Sequence, residues 1–159
     1  MSLITRPGTV EDAEGLAPRL RPDDVREIEL ISQRTPAEVL PVSVSVSSEC
    51  YTFRSSPNGD PFAIFGVTAD PCNQGVGIVW FLGTPEVSSH KLAILRESLV
   101  WLKYWGEKYA ALHNVVYSAN ELHVRWLIGL GFTMEPLEIR GHQCFHAVLH
   151  SERSQSACV

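Results

Sequence analysis

Cysteine, methionine and basic side chains are all scarce in this chain. Its four cysteines, Cys50, Cys72, Cys144 and Cys158, are irregularly spaced and form no CxxC pair. That excludes a disulfide-dense scaffold, and reduced thiols in a cytoplasm are the expectation. Lysine and arginine total 13 against 18 acids, a formal charge of −5. Phosphate-dominated binding of nucleic acid needs a basic face, so no nucleic-acid partner is expected; the acidic balance leaves small cationic substrates or basic proteins open without selecting them. Long hydrophobic runs are absent too. The longest nearly apolar stretch, GVGIVWFLG at 75 to 83, is far too short to cross a bilayer and reads as a buried strand. The beginning, MSLITRPGTVEDAEG, has no apolar run behind a basic segment, so neither a signal peptide nor a membrane partner is expected. No GxxxxGK[ST] loop and no Ser-His-Asp order are present, which disfavours NTPase and hydrolase chemistry.

What the chain does have is a core. Of 159 residues, 45% are apolar, about 72 side chains, enough to bury roughly 70% of the unfolded surface in one domain. We expect that domain over 1–150, followed by a flexible polar tail at 151–159, SERSQSACV. Leu3 to Arg6 reads as a first strand. Thr9 with Glu11 and Asp12 marks a capped helix start, Pro18 and Pro22 interrupt it, and Asp23 and Asp24 open a second helix carrying Val25, Ile28 and Ile31. From Pro36 onward the signals conflict. Val42, Val44 and Val46 alternate with serines as in a strand, whereas Thr35, Pro36 and Glu38 would start a helix. Segments 50–54 and 61–68 form strands joined by SSPNGD, with Asn58 and Gly59 as the hairpin signal, and 76–83 follows as a third strand of a meander. Leu92, Leu95, Leu99, Leu102 and Tyr109 then recur at helical spacing, predicting an amphipathic helix over 88–111 that starts at Ser88 or Ser89. A strand at 113–119, a short helix closed by Gly131, and strands at 133–139 and 143–149 complete the order. Strand, long helix, strand is a right-handed crossover, so 76–83 and 113–119 should run parallel in an otherwise antiparallel sheet.

This α/β (α+β) order, a mixed and mostly antiparallel sheet with a central parallel pair and helices on both faces, resembles the GNAT N-acetyltransferase fold. The specific segment is NELHVRWLIGLGF at 120–132, where Asn120, Gly131 and Phe132 keep the spacing usual in GNAT proteins. His123, Arg125, Trp126 and Leu127 make it look more like the small GNAT-like proteins of tailed bacteriophages, including the internal virion protein A family of podophages. ITRPGTVEDAEGL, SSECYTF, PFAIFGV and WFLGTPEV extend the likeness over most of residues 3 to 148.

The resemblance implies acetyl-CoA as cofactor and an amine or protein acceptor. It places the pantetheine arm near Phe81, Leu82 and Gly83, the pyrophosphate near Ser88, Ser89, His90 and Lys91 at the helix start, and Asn120 beside them. Two departures stand out. The family's Gln/Arg-x-x-Gly-x-Gly/Ala loop is replaced by TPEVSSHKLA, in which Glu86 adds an unfavourable charge. A capped, solvent-facing helix start is the competing reading of Ser88, Ser89 and Lys91. The family's general-acid tyrosine is Leu127 here, which leaves His123 as a substitute acid and Glu49 as a base toward the amine. Their plainer readings are a hydrogen-bonded structural histidine and a solvated loop acid. His142, Cys144, His146 and His150 share parity on the last strand, but same-face residues lie about 7 Å apart, so no metal site is expected. Trp101, Trp105 and Trp126 read as core or subunit-contact residues. Three functions remain: an acetyltransferase, a non-catalytic virion or morphogenesis protein inside the phage particle, and a protein binding or modifying a host target in the infected cytoplasm. Fold alone does not choose among them.

Overall fold

In the computed structural model, which describes residues 2–151, the order of elements is β1 (Ile4–Pro7), α1 (Val10–Leu16), a 3-10 turn (Ala17–Arg19), α2 (Pro22–Ser32), α3 (Pro36–Val46), β2 (Glu49–Arg54), β3 (Ala63–Ala69) and β4 (Val76–Gly83). A second 3-10 turn (Pro85–Ser89), α4 (Lys91–Gly106), β5 (Ala111–Tyr117), α5 (Glu121–Gly129), β6 (Thr133–Ile139) and β7 (His142–His150) follow. The expected tail beyond Ser151 lies outside the described residues. The strands form one seven-stranded sheet in the order β1-β2-β3-β4-β5-β7-β6. Its parallel pair is β4 with β5, in register Val76↔Ala111, Gly77↔Leu112 and Ile78↔His113, as the crossover argument requires. No helix of the described residues is long and apolar enough to cross a membrane.

Two capping boxes set the first helices. At α1, Thr9 Oγ1 accepts from the Asp12 N–H and Asp12 Oδ2 accepts from the Thr9 N–H, both at 3.1 Å. At α3, Thr35 and Glu38 do the same, and the conflict in the sequence resolves as helix. The serines that mimicked strand alternation turn their hydroxyls back along the helix: Ser43 Oγ donates to Val39 O at 3.0 Å and Ser45 Oγ to Val42 O at 2.9 Å. Hydrogen bonds from the Thr35 N–H and then its hydroxyl hold the Glu38 carboxyl below its usual range. The expected β2–β3 hairpin forms, with Phe53 opposite Ala63. Its connection runs over residues 55 to 62, however, and neither Asn58 nor Gly59 adopts the positive φ of a tight two-residue turn.

Two corrections concern the crossover. The helix spans Lys91–Gly106 rather than 88–111, because Ser88 and Ser89 belong to the preceding 3-10 turn. Its buried residues are Ile94, Ser98 and Trp105, while Leu92 is 71% and Leu99 50% exposed. The helix is apolar on more than one side, so periodicity alone selected the wrong stripe. The next strand begins at Ala111, two residues early, because β7 pairs with it from His150 opposite Ala111 to Cys144 opposite Tyr117.

The chain divides into two compact units, residues 1–68 with 80–94, and residues 69–79 with 95–159. In the first, Ala13, Leu16, Ala17, Leu20, Ile28 and Leu40 of the helical segments pack on Ile64 and Leu82. The opposite sheet face stacks Phe53 on Phe65, 4.5 Å between centroids, with Phe81 6.2 Å from Phe65. In the second, Leu112, Val116 and Ala147 are buried on one face of β5 and β7 together with Leu127 and Phe132. Asp70, in the turn before β4, accepts from the Cys72 N–H at 2.8 Å, from Asn73 Nδ2 at 3.0 Å and from His113 Nε2 at 2.8 Å.

Ile94→Ala should lower stability by about 2–5 kcal/mol in urea unfolding, while Leu92→Ala should stay within about 0.5 kcal/mol. The hydrogen bonds of Asn73, Cys72 and His113 bring the Asp70 carboxyl down from 3.8 to about 2. Its contribution is therefore complete above the unfolded value and is lost as acid takes the pH from 3.8 toward about 2. Acid titration of Asp70→Asn should lack that component.

Candidate functional site

The carboxyl-terminal end of β4 is held by the start of α2. Pro22 sits at the first helical position, and Asp23 and Asp24 occupy the first turn, where the helix dipole favours acids. Asp24 is 1% exposed. Its Oδ2 accepts from the Gly83 N–H at 3.1 Å and its Oδ1 from Arg21 Nη1 at 3.1 Å, while the Arg21 N–H donates to Gly83 O at 2.9 Å. Both backbone groups of Gly83 are thus taken. A side chain at 83 would also put its Cβ 2.4 Å from Val87 Cγ1, so the close approach of the 3-10 turn requires glycine there.

Strand alternation then assigns the remaining backbone. Thr84 N–H donates to Phe62 O and Asp70 N–H to Val76 O, which turns the even-numbered residues of β4 toward β3. The odd-numbered residues face the other edge, as Gly75 O shows by accepting from the Ala110 N–H at 2.8 Å. Of the three residues expected to hold a pantetheine arm, Leu82 turns its backbone to β3, Gly83 is occupied, and Phe81 presents its N–H and C=O away from β3. Parallel pairing with β5 reaches Ile78↔His113, whereas β4 itself continues to Gly83 and β5 to Tyr117.

Beyond Gly83 the chain does not form a glycine cradle. Buried Thr84 caps the 3-10 turn: its Oγ1 accepts from the Glu86 N–H at 3.3 Å and its carbonyl from the Val87 N–H at 3.1 Å. The His90 N–H donates to Val87 O, and His90 O accepts from the Ile94 N–H. The His90 ring stacks on Phe62, 4.8 Å between centroids, with Nε2 3.4 Å from Glu86 Oε1. Ser88, Ser89 and Lys91 are exposed. By helix geometry the N–H groups of Lys91, Leu92 and Ala93 have no carbonyl one turn behind them inside α4, so they are the donors left for an anion.

Glu49 opens β2 and is half-buried, with the Tyr51 hydroxyl donating to its Oε1 at 2.9 Å. It is a strand residue with a partner, not a solvated loop acid. Burial, with Asp12 nearby, pushes the adjacent Cys50 thiol up to about 12, which removes it as a nucleophile. In the second unit, Asn120 is fully buried at the start of α5, its carbonyl accepting from the Val124 N–H and its N–H donating to Tyr117 O. His123 is 6% exposed, 5.7 Å from the Trp126 ring. Leu127 is 2% exposed and belongs to the core. Gly131, at φ +95, closes the segment. Glu49 and the β4 end therefore fall in the first unit, and Asn120 and His123 in the second. Among the described residues, no group of three or more His, Cys, Asp or Glu could hold a metal ion.

Comparison with solved structures gives this geometry a fold. AAC(6')-Ib in complex with ribostamycin and coenzyme A superposes with a TM-score of 0.67 at 17% identity, covering 99% of this chain and 98% of that one. A phosphinothricin acetyltransferase of the GNAT superfamily from Sinorhizobium meliloti, in complex with AcCoA, gives 0.68 at 11% identity over 98% and 92%. The fold is the GNAT fold. A GNAT-family acetyltransferase from Streptococcus pneumoniae agrees, at 0.61 and 16% identity over 94% and 99%. No family model matches the sequence, and no curated protein matches it.

Arg21 and Asp24 are the residues that sequence reasoning missed. Their signal was RPDD, which reads as a helix start and says nothing about which backbone the acid will meet. Asp24→Ala removes the acceptor of the Gly83 N–H and one carboxylate partner of the half-buried Arg21, and should cost about 1–3 kcal/mol in urea unfolding. Asp24→Asn, which keeps an acceptor for the Gly83 N–H, should cost less.

Proposed function

We propose that this protein is an acetyl-CoA-dependent N-acetyltransferase acting on an amine, carried by a small molecule or a protein. The supporting observation is the GNAT fold over nearly the whole chain, shared with structures described as holding coenzyme A or AcCoA. The residues fit such a cofactor at two places. Phe81 stands on the strand edge turned away from β3, where an extended arm would run, and the first-turn N–H groups of α4 with the Lys91 ammonium offer donors to phosphates. The cradle is weaker than a glycine loop, because Thr84 and Val87 already take the N–H groups of Glu86, Val87 and His90.

Bound, the cofactor supplies an activated thioester. The amine nitrogen forms its bond to the acyl carbon as the carbon–sulfur bond breaks. In the first unit, Glu49 is the residue we assign to accept the amine proton; in the second, His123 is the residue able to give a proton where Leu127 is not. Positioning accounts for most of the acceleration in a direct transfer.

A second reading keeps the fold and drops the transfer: a phage virion or morphogenesis component inside the particle, or a protein directed at a host target in the infected cytoplasm. Two observations favour the loss of transfer, the leucine at 127 and the internally bonded 3-10 turn; the phage role rests on the resemblance of the 120–132 segment alone.

Isothermal titration with millimolar acetyl-CoA should give saturable heat with one molecule per chain; no heat at that concentration would remove the enzyme reading. In an active preparation, His123→Gln and Glu49→Gln should each lower kcat by about 100-fold or more, read on variants that circular dichroism shows to be folded. Mass spectrometry of purified particles separates the alternatives, because a virion component is present there in stoichiometric copies.

A further inference from the structure

Four titratable side chains of the second unit stand in a row on one sheet face. Asp70 Oδ2 lies 2.8 Å from His113 Nε2 on β5, and His113 Nδ1 lies 3.0 Å from His146 Nε2 on β7. His146 Nδ1 is 3.9 Å from Glu135 Oε2 on β6. The register builds the row: His146 stands opposite Val115 and Glu135, and His113 opposite Val148, so the two histidines are diagonal neighbours. Their rings meet edge to face at 85°. Asp70 takes one edge of the His113 ring and His146 the other, so the donors form a chain and do not converge on a point where a cation would sit.

Counting protons along the chain constrains it. Asp70, held near 2 by its hydrogen bonds, is an acceptor throughout the neutral and mildly acidic range, so His113 Nε2 carries a hydrogen and donates to it. In a neutral His113 ring, Nδ1 is then a lone pair, and the 3.0 Å contact requires the hydrogen on His146 Nε2. With both rings neutral, His146 Nδ1 turns a lone pair toward the Glu135 carboxylate. One added proton belongs there, where it faces Glu135 and leaves the bond between the rings intact. A second added proton sets N–H against N–H at the same contact, and that bond cannot survive it.

We infer that His113 and His146 form a one-proton hydrogen-bonded pair, a pH-operated clip between β5 and β7. It is closed while the pair holds at most one added proton. It opens when both rings are charged, His113 remaining on Asp70 and His146 turning to Glu135. Such a device has two discrete arrangements biased by protonation, the requirement for a switch. His142, Cys144 and His150 of β7 and Tyr117 of β5 share this face, and β5, β6, β7 and the turn at 70–75 contain no lysine or arginine. Asp70 and Glu135 are therefore the charges that set the response. Because the row includes none of the proposed transfer residues, this inference does not rest on the acetyltransferase reading.

The test is nuclear magnetic resonance of the full chain labelled with nitrogen-15 in its histidines, titrated from about pH 8 to about pH 4. A through-bond coupling between His146 Nε2 and His113 Nδ1 is expected near neutrality and should vanish in acid while the amide spectrum stays folded. In Glu135→Gln, which removes the partner of the added proton, the coupling should persist to lower pH. No coupling at any pH, a coupling that survives with both rings charged, or no response to Glu135→Gln would each overturn the clip.

Discussion

Ile78 and His113 close the short parallel ladder between β4 and β5, and much of the architecture follows from that pairing. Two parallel neighbours cannot be joined by a tight turn, so the chain must cross over, and α4 is that crossover. β4 has antiparallel company on one edge and β5 on the other for only part of its length. Its later odd-numbered backbone is thus released from the ladder, and the protein meets this at Gly83 with Asp24 and Arg21 rather than with another strand. An unpaired buried amide or carbonyl costs about 1–3 kcal/mol, so some partner is required there.

That solution shapes the chemistry open to the site. A carboxylate buried to 1% exposure is tolerable because a guanidinium, a backbone N–H and a helix start all compensate it. The clamp takes both backbone groups of Gly83 and so removes that position from any ligand. The 3-10 turn that follows spends its donors on Thr84 and Val87, so anion binding falls to the first turn of α4. The transfer reading and the non-catalytic reading differ in whether those few donors suffice.

Much of the fold was legible in the amino-acid order. The Thr9 capping box, the hairpin from β2 to β3, the buried strand at 76–83 and the crossover all come from local rules of caps, turns and periodicity. Where two local rules disagreed, as at 36–46, the helix won because Thr35 and Glu38 satisfy its first N–H groups and the serines satisfy themselves against its carbonyls. The site was less legible. Glu49, His123 and Asn120 could be named from a family likeness, and their partners Tyr51, Trp126 and Tyr117 lie within three residues of them; what the order of residues hid is the distant clamp of Asp24 and Arg21 on Gly83.

By itself, then, the sequence determined the kind and order of elements, because these rest on neighbours within a few residues along the chain. Tertiary structure decided which stripe of α4 is buried, which backbone groups Asp24 meets, and that Asp70, His113, His146 and Glu135 stand in one row. Those contacts join residues up to 59 positions apart, as between Asp24 and Gly83. Nothing in a one-dimensional pattern encodes such a meeting until the sheet register has brought the partners together.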